Sequence, residues 1–291
     1  MAQVIVSGIV LGGIYAFIAL GFAMTWRTTR TLSFAQGELV TLGALLGLSL
    51  NQDMGLPLWL VIPVTLLAGA LLAVVIQKLA IAPFAISGEK GVLGWVLGTV
   101  AVSILLRNIY ELIWGLEPRR WRSPFGDGYI GIGPVNLQPQ QLAILTAVAI
   151  LALVSGWILT RTMWGKAFNA VAQNPDAAAL SGISPNAVST VAFAISGALA
   201  AFAGILLAPV TLASAHMGFG LVVSAFAVAV LAGLMSMRGA LAVGLVFGAF
   251  EALVARFLGS ELREIAGLLL LVAILMIRPN GIFGRAKVVK V

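Results

Sequence analysis

The chain has 291 residues, of which 61% are hydrophobic and only 9% charged, with a mean hydropathy of +1.09. A soluble domain carries about a quarter charged residues, so this composition excludes a water-soluble globular protein, and the lack of cysteine excludes disulfides, thiol catalysis and thiolate metal sites. The net charge of +7 comes from basic residues that flank apolar runs, which points to membrane topology and a lipid bilayer as partner, not to nucleic acid.

Backbone groups in lipid must bond internally, so long runs rich in Leu, Ala and Gly are expected to be helices. Nine apolar stretches follow one another: 4–24, 39–50, 58–80, 92–116, 142–159, 188–212, 221–235, 240–257 and 265–277. The first has no basic segment before it and is too long for a signal-peptide core, so it is expected to remain as a span. A crossing takes about 20 residues, which leaves the second, seventh and ninth short; the second is expected to recruit 32–38. The expected fold class is therefore all-α, a polytopic transmembrane helical bundle of about eight or nine spans in one domain over 1–291.

With the N-terminus outside and every stretch crossing, eleven basic residues face the cytoplasm: Arg27, Arg30, Lys78, Lys90, Arg161, Lys166, Arg238, Arg278, Arg285, Lys287 and Lys290. Five face outward (Arg119, Arg120, Arg122, Arg256 and Arg263), and Arg107 lies inside a span. This imbalance favours N-out, C-in. Residues 116–141, rich in Gly, Pro and Arg, are expected to form an irregular outer loop that roughly halves the chain and suggests two inverted halves. Residues 166–186 are expected on the cytoplasmic side. There Asn174 suits a helix cap, Pro175 the first helical position, Asp176 the positive helix start, Ala177, Ala178 and Ala179 propagation, and Gly182 a stop.

Small residues recur at four-residue spacing: Gly8 and Gly12, Gly43 and Gly47, Gly94 and Gly98, Gly197 and Ala201, Gly244 and Gly248. Such stripes let helix backbones approach closely, and packing within the chain is the expected use. The segment Leu32-Ser33-Phe34-Ala35-Gln36-Gly37-Glu38 places polar residues directly before an apolar helix. It reads as a helix start with Glu38 favoured by the dipole, or as a broken helix presenting its terminus to a substrate. Arg107 and Glu111 are expected to pair at i, i+4; Glu251 and Arg256 read as a structural pair of neighbours or as interface-snorkelling groups, with pairing favoured; His216 is expected to be a solvated loop residue. No phosphate-binding loop, nucleophile elbow, zinc-protease motif or carboxylate-rich metal cluster occurs, so no catalytic or metal-binding residue is assigned. The residues alone point to a transporter or channel subunit.

Four stretches then carry a resemblance. Gly12-Gly13-Ile14-Tyr15-Ala16-Phe17-Ile18-Ala19-Leu20-Gly21, the 32–38 segment, Ala177-Ala178-Ala179-Leu180-Ser181-Gly182-Ile183 and Arg278-Pro279-Asn280-Gly281-Ile282-Phe283-Gly284 occur in this order along nearly the whole chain. Together the chain resembles the Liv-type permeases, membrane subunits of branched-chain amino acid ABC importers, whose corresponding patterns are G-x-I-Y-A-L-x-A-L-G, N-F-A-H-G-E, A-A-x-x-G-I and R-P-x-G-L-F-G. The resemblance implies a translocation pathway shared with a second, homologous permease in a bacterial inner membrane. It also implies two cytoplasmic ATP-binding subunits, which would hold the ATP and magnesium while this chain binds no cofactor and is no enzyme, and an extracytoplasmic binding protein that delivers cargo. Lys166, Asn174, Pro175, Asp176, Ala177, Ala178, Ala179 and Gly182 would form the ATPase-coupling loop, and Ser33, Phe34, Gln36, Gly37 and Glu38 are candidates for the pathway. Ser33 and Gln36 depart from the family's usual Asn and His, which leaves related small polar solutes open as cargo. The alternative is an ATPase-independent secondary transporter or channel for a urea- or amide-like solute, and a membrane-embedded enzyme is the remote third class.

Overall fold

The computed structural model describes residues 1–84, 89–126, 128–132 and 135–284, without the side chains of 89–92 and 132. The side chain of Lys90 and residues Arg285, Lys287 and Lys290, counted above for topology, lie outside the described residues. Eleven α-helices occur among the described residues: α1 Ala2–Thr29, α2 Gln36–Leu48, α3 Leu58–Ile76, α4 Glu89–Trp114, α5 Pro139–Arg161, α6 Met163–Gln173, α7 Pro175–Leu180, α8 Pro185–Leu207, α9 Met217–Ala232, α10 Met237–Leu258 and α11 Leu262–Ile277. A π-helical turn, Ser49–Asp53, prolongs α2, and another, Gln77–Ile81, prolongs α3. Between α4 and α5 the chain forms an antiparallel hairpin, β1 Ile130–Ile132 with β2 Val135–Leu137, so the expected outer loop is partly ordered.

Among the described residues, six helices are long and apolar enough to cross a membrane: α1, α3, α4, α5, α8 and α10. The all-α polytopic bundle is thus as expected, while the count of eight or nine spans is not established. The three stretches flagged as short correspond to α2, α9 and α11, of 13, 16 and 16 residues.

Hydrogen bonds fix the two ends. At one end Gln3 holds β2 in a two-way bond, its Nε2 donating to Asn136 O at 2.8 Å and its Oε1 accepting from Asn136 N at 2.9 Å. At the other end Arg30 Nη2 reaches Ala172 O on α6 at 3.5 Å, and the Ile282 amide donates to Leu231 O on α9 at 2.7 Å. The N-terminus therefore sits at the hairpin end, and α6, α7 and the segment after α11 sit at the opposite end.

The small-residue stripes form the central crossings, as the spacing predicts. Gly8 and Gly12 on α1 interlock with Gly244 and Gly248 on α10; a Cβ added at Gly8 would stand 2.7 Å from the Ala249 Cα. On α8, Gly197 meets Gly69 of α3 and Ala201 meets Gly43 of α2, while Gly204 lies on the Val40 carbonyl. With no apolar driving force between helices in lipid, such backbone-on-backbone approach carries much of the association.

Two helices start inside the bundle. Gln36 opens α2 next to Gly21 of α1 and Ser196 of α8, although α1 continues eight residues beyond Gly21. Gly37 packs against Gly218 in the first turn of α9, and Thr41 lies beside the same glycine. From this meeting point α2 climbs to the hairpin end and α9 descends to the other. Neither start has a side-chain cap.

Candidate functional site

The segment before α2 and the opposing start of α9 enclose the site. Ser33 is buried at 3% exposure with no hydrogen-bond partner for its hydroxyl. Phe34 is half-exposed, tilts against Phe226 at 6.4 Å and donates its amide to Thr99 Oγ1 at 3.4 Å. Gln36 is turned away from this opening: its Nε2 donates to Ser196 Oγ at 2.9 Å and to Ser196 O at 3.1 Å. Gly37 supplies the close approach to α9. Glu38 is buried, and its Oε1 accepts from Ser103 Oγ at 2.9 Å and from Arg107 Nη2 at 3.3 Å, while Tyr110 donates to the Glu38 carbonyl at 3.0 Å.

Glu38 therefore lies in the first turn of α2 but bonds across to α4 instead of capping its own helix. The expected Arg107–Glu111 pair does not form. Arg107 turns to Glu38 because a fully buried carboxylate needs a cation more than its partly exposed neighbour Glu111 does. Glu111, one turn on, instead lies 3.0 Å from His216 Nε2. That histidine is half-exposed and stands immediately before α9, so it is more than a solvated loop residue.

Between these groups opens a cavity of about 300 Å³ bordered by Ser33 and Phe34, by Ser103 and Arg107 of α4, and by Phe219 and Phe226 of α9. The Arg107 guanidinium stands 5.6 Å from the Phe219 ring centroid, and its Nε has no partner. Of the five residues named for the pathway, Ser33 and Phe34 border the cavity; Gln36, Gly37 and Glu38 support it from behind. Ser103, Arg107 and Phe219 also border the cavity and were not singled out for it, because nothing in the sequence shows that Arg107 faces α2.

A second buried carboxylate lies elsewhere. Glu251 of α10 is fully buried and accepts from Ser224 Oγ (3.0 Å), Tyr15 Oη (2.7 Å) and Arg263 Nε (2.8 Å). Its expected partner, Arg256, sits five residues on, about 140° around the helix, and is exposed. The network ties α1, α9, α10 and α11 together.

At the end opposite the hairpin, the 166–186 segment folds as its residues dictate. Asn174 Oδ1 accepts from the amides of Asp176 (3.0 Å) and Ala177 (3.1 Å), Pro175 occupies the first position of α7, and Gly182 ends it at φ +81°. Ala178 faces inward, while Asp176, Ala177 and Ala179 are exposed, as is Lys166 on α6. Leu180 projects with 91% of its surface exposed; the sequence marks it only as a residue that propagates the helix.

At the hairpin end Arg119 is not simply solvated. Its Nη2 lies 2.6 Å from Asp53 Oδ1, and that hydrogen bond holds the exposed Asp53 carboxyl below the usual carboxylate range. Arg120 and Arg122 border a wide polar depression alongside Trp121 and Tyr129.

Residues 4–277 match the family model described as branched-chain amino acid transport system / permease component. The chain belongs to this family. Among curated permeases, it is 29% identical to the high-affinity branched-chain amino acid transport system permease protein LivH of Salmonella typhimurium over 302 aligned positions, 99% of this chain and 97% of that protein. The corresponding protein BraD of Pseudomonas aeruginosa is 28% identical over 305 positions, again covering 99% and 97%. A shorter match, 27% over 209 positions, joins 65% of the chain to 58% of the galactose/methyl galactoside import permease protein MglC of Escherichia coli. The protein is thus a Liv-type permease component, a multi-pass membrane protein of transport systems.

Proposed function

We propose that this permease forms half of the translocation pathway of an ABC importer for branched-chain amino acids or related small polar solutes. In this reading α7 seats in a groove of one of two cytoplasmic ATP-binding subunits. The ATP and magnesium belong to those subunits, a second permease supplies the other half of the pathway, and an extracytoplasmic binding protein delivers the cargo. The observation that carries the proposal is α7 itself: a capped, glycine-terminated helix that exposes Leu180, in a chain whose residues 4–277 match a permease family. A short rigid helix with one projecting apolar side chain suits a partner's pocket, because buried apolar anchors dominate such interfaces. The opposite placement of the N-terminus and α7 agrees with an N-out, C-in orientation. The opposed starts of α2 and α9 agree with two halves of inverted direction. Arg120 and Arg122, at the end that faces outward in this reading, suit an acidic surface on the binding protein.

Replacing Gly182 by valine tests the coupling. A β-branched residue is strained at φ +81°, so Gly182→Val should displace the end of α7. ATP hydrolysis by the reconstituted complex should then continue while ATP-driven uptake falls, with membrane insertion intact. Unchanged uptake would remove the assignment. Uptake without any ATPase present would favour the channel or secondary-transporter reading.

A further inference from the structure

The cavity between α4 and the start of α9 has one cationic end and otherwise aromatic and aliphatic walls. The geometry points to Arg107 as the residue that reads a carboxylate on the cargo, with Glu38 as the residue that positions it. The inference rests on the transport reading above and adds the chemistry of recognition. A guanidinium offers five N–H donors. Glu38 Oε1 engages Nη2 at 3.3 Å, and Nε is buried without an acceptor. Ser33, on the same wall, buries a hydroxyl that has no partner. The uncapped N-termini of α2 and α9 converge beside the cavity, and the positive ends of their dipoles favour an anion there. Phe22, Phe34, Val222 and Phe226 provide room for a short apolar body and offer no side-chain acceptor to a polyol. A sugar hydroxyl could accept from Arg107 or pair with Ser33, but it brings no negative charge to the guanidinium and would leave most of its other hydroxyls against apolar walls. Glu38 does not border the cavity; it holds the Arg107 and Ser103 side chains from behind through one oxygen.

Ligand-dependent thermal shifts of the full chain, purified with its permease and ATP-binding partners but without the cargo-binding protein, test the inference. The probes are leucine, leucinamide (in which a neutral amide replaces the carboxylate) and galactose, each at millimolar concentration. Leucine should raise the Tm of the wild type, and the other two should not. Arg107→Gln should weaken leucine binding by about 10- to 100-fold, the loss of a charge-assisted hydrogen bond. Arg107→Lys should retain part of the response, and Glu38→Gln should narrow the preference for leucine over leucinamide. Equal responses to leucine and leucinamide, no response to leucine in the wild type, or a wild-type response in Arg107→Gln would each overturn the role of Arg107. If Arg107→Gln fails to assemble, the lysine variant and the wild-type probe series still decide. ATP-driven uptake, measured separately on reconstituted wild-type complex, reports on the transport reading alone.

Discussion

Two buried carboxylates, Glu38 and Glu251, illustrate how single residues organise this bundle. Each sits at 1% exposure or less, and each recruits an arginine from another helix. Removing the carboxylate of such a pair strands an arginine that is partly exposed, a loss below the about 3–5 kcal/mol of a fully buried charge but well above that of an exposed residue. Glu251→Ala should therefore lower the thermal stability of the purified protein markedly, and more than Arg256→Ala, whose side chain is exposed; differential scanning fluorimetry would show the difference. At the hairpin end the Asp53–Arg119 pair has a pH signature. Because Asp53 has a folded-state pKa below its ordinary value, its contribution is present above the ordinary carboxylate range and is lost as pH falls through the lowered value. Both partners are more than a third exposed, so the effect is small. Asp53→Asn should abolish the acid-dependent part of it, as read from stability against pH. Sequence reasoning singled out the charged residues but matched them in two wrong pairs. Arg107 with Glu111 and Glu251 with Arg256 are neighbours along the chain, whereas burial of the carboxylates selected distant cations.

Among the helices, the glycine stripes predicted their own contacts. Gly8, Gly12, Gly244 and Gly248 stand out by spacing alone, and the α1–α10 crossing is built from them. Gly12→Val should prevent this crossing, because the added side chain meets the backbone at Gly244; size-exclusion profiles in detergent should show misfolded or aggregated protein. Gly156 on α5 has nothing within reach of an added Cβ. Gly156→Ala should be neutral or stabilise by up to about 1 kcal/mol, the gain in helix propensity. The short helix at 175–180 was equally legible, because cap, proline and glycine act within one or two turns. The internal starts of α2 and α9 were not. Hydropathy marked both stretches as short without showing that their first turns meet at Gly37 and Gly218, since that meeting depends on contacts far apart in sequence.

The whole molecule has a polarity that follows from these elements. A hairpin and arginine-rich loop lie at one end, a projecting helix lies at the other, and a cavity bordered by the segment before α2 and the start of α9 lies between them. In the proposed importer the chain needs no phosphate-binding loop of its own, and α7 is the element through which a partner's energy would enter. The absence of cysteine makes a direct test clean, since Leu180→Cys introduces a unique thiol. In a cell membrane containing the assembled transporter, a short thiol cross-linker at this position should capture an ATP-binding subunit and arrest uptake. Labelling of that thiol by a membrane-impermeant reagent added from outside intact cells, with no ATP-binding subunit captured, would contradict the account.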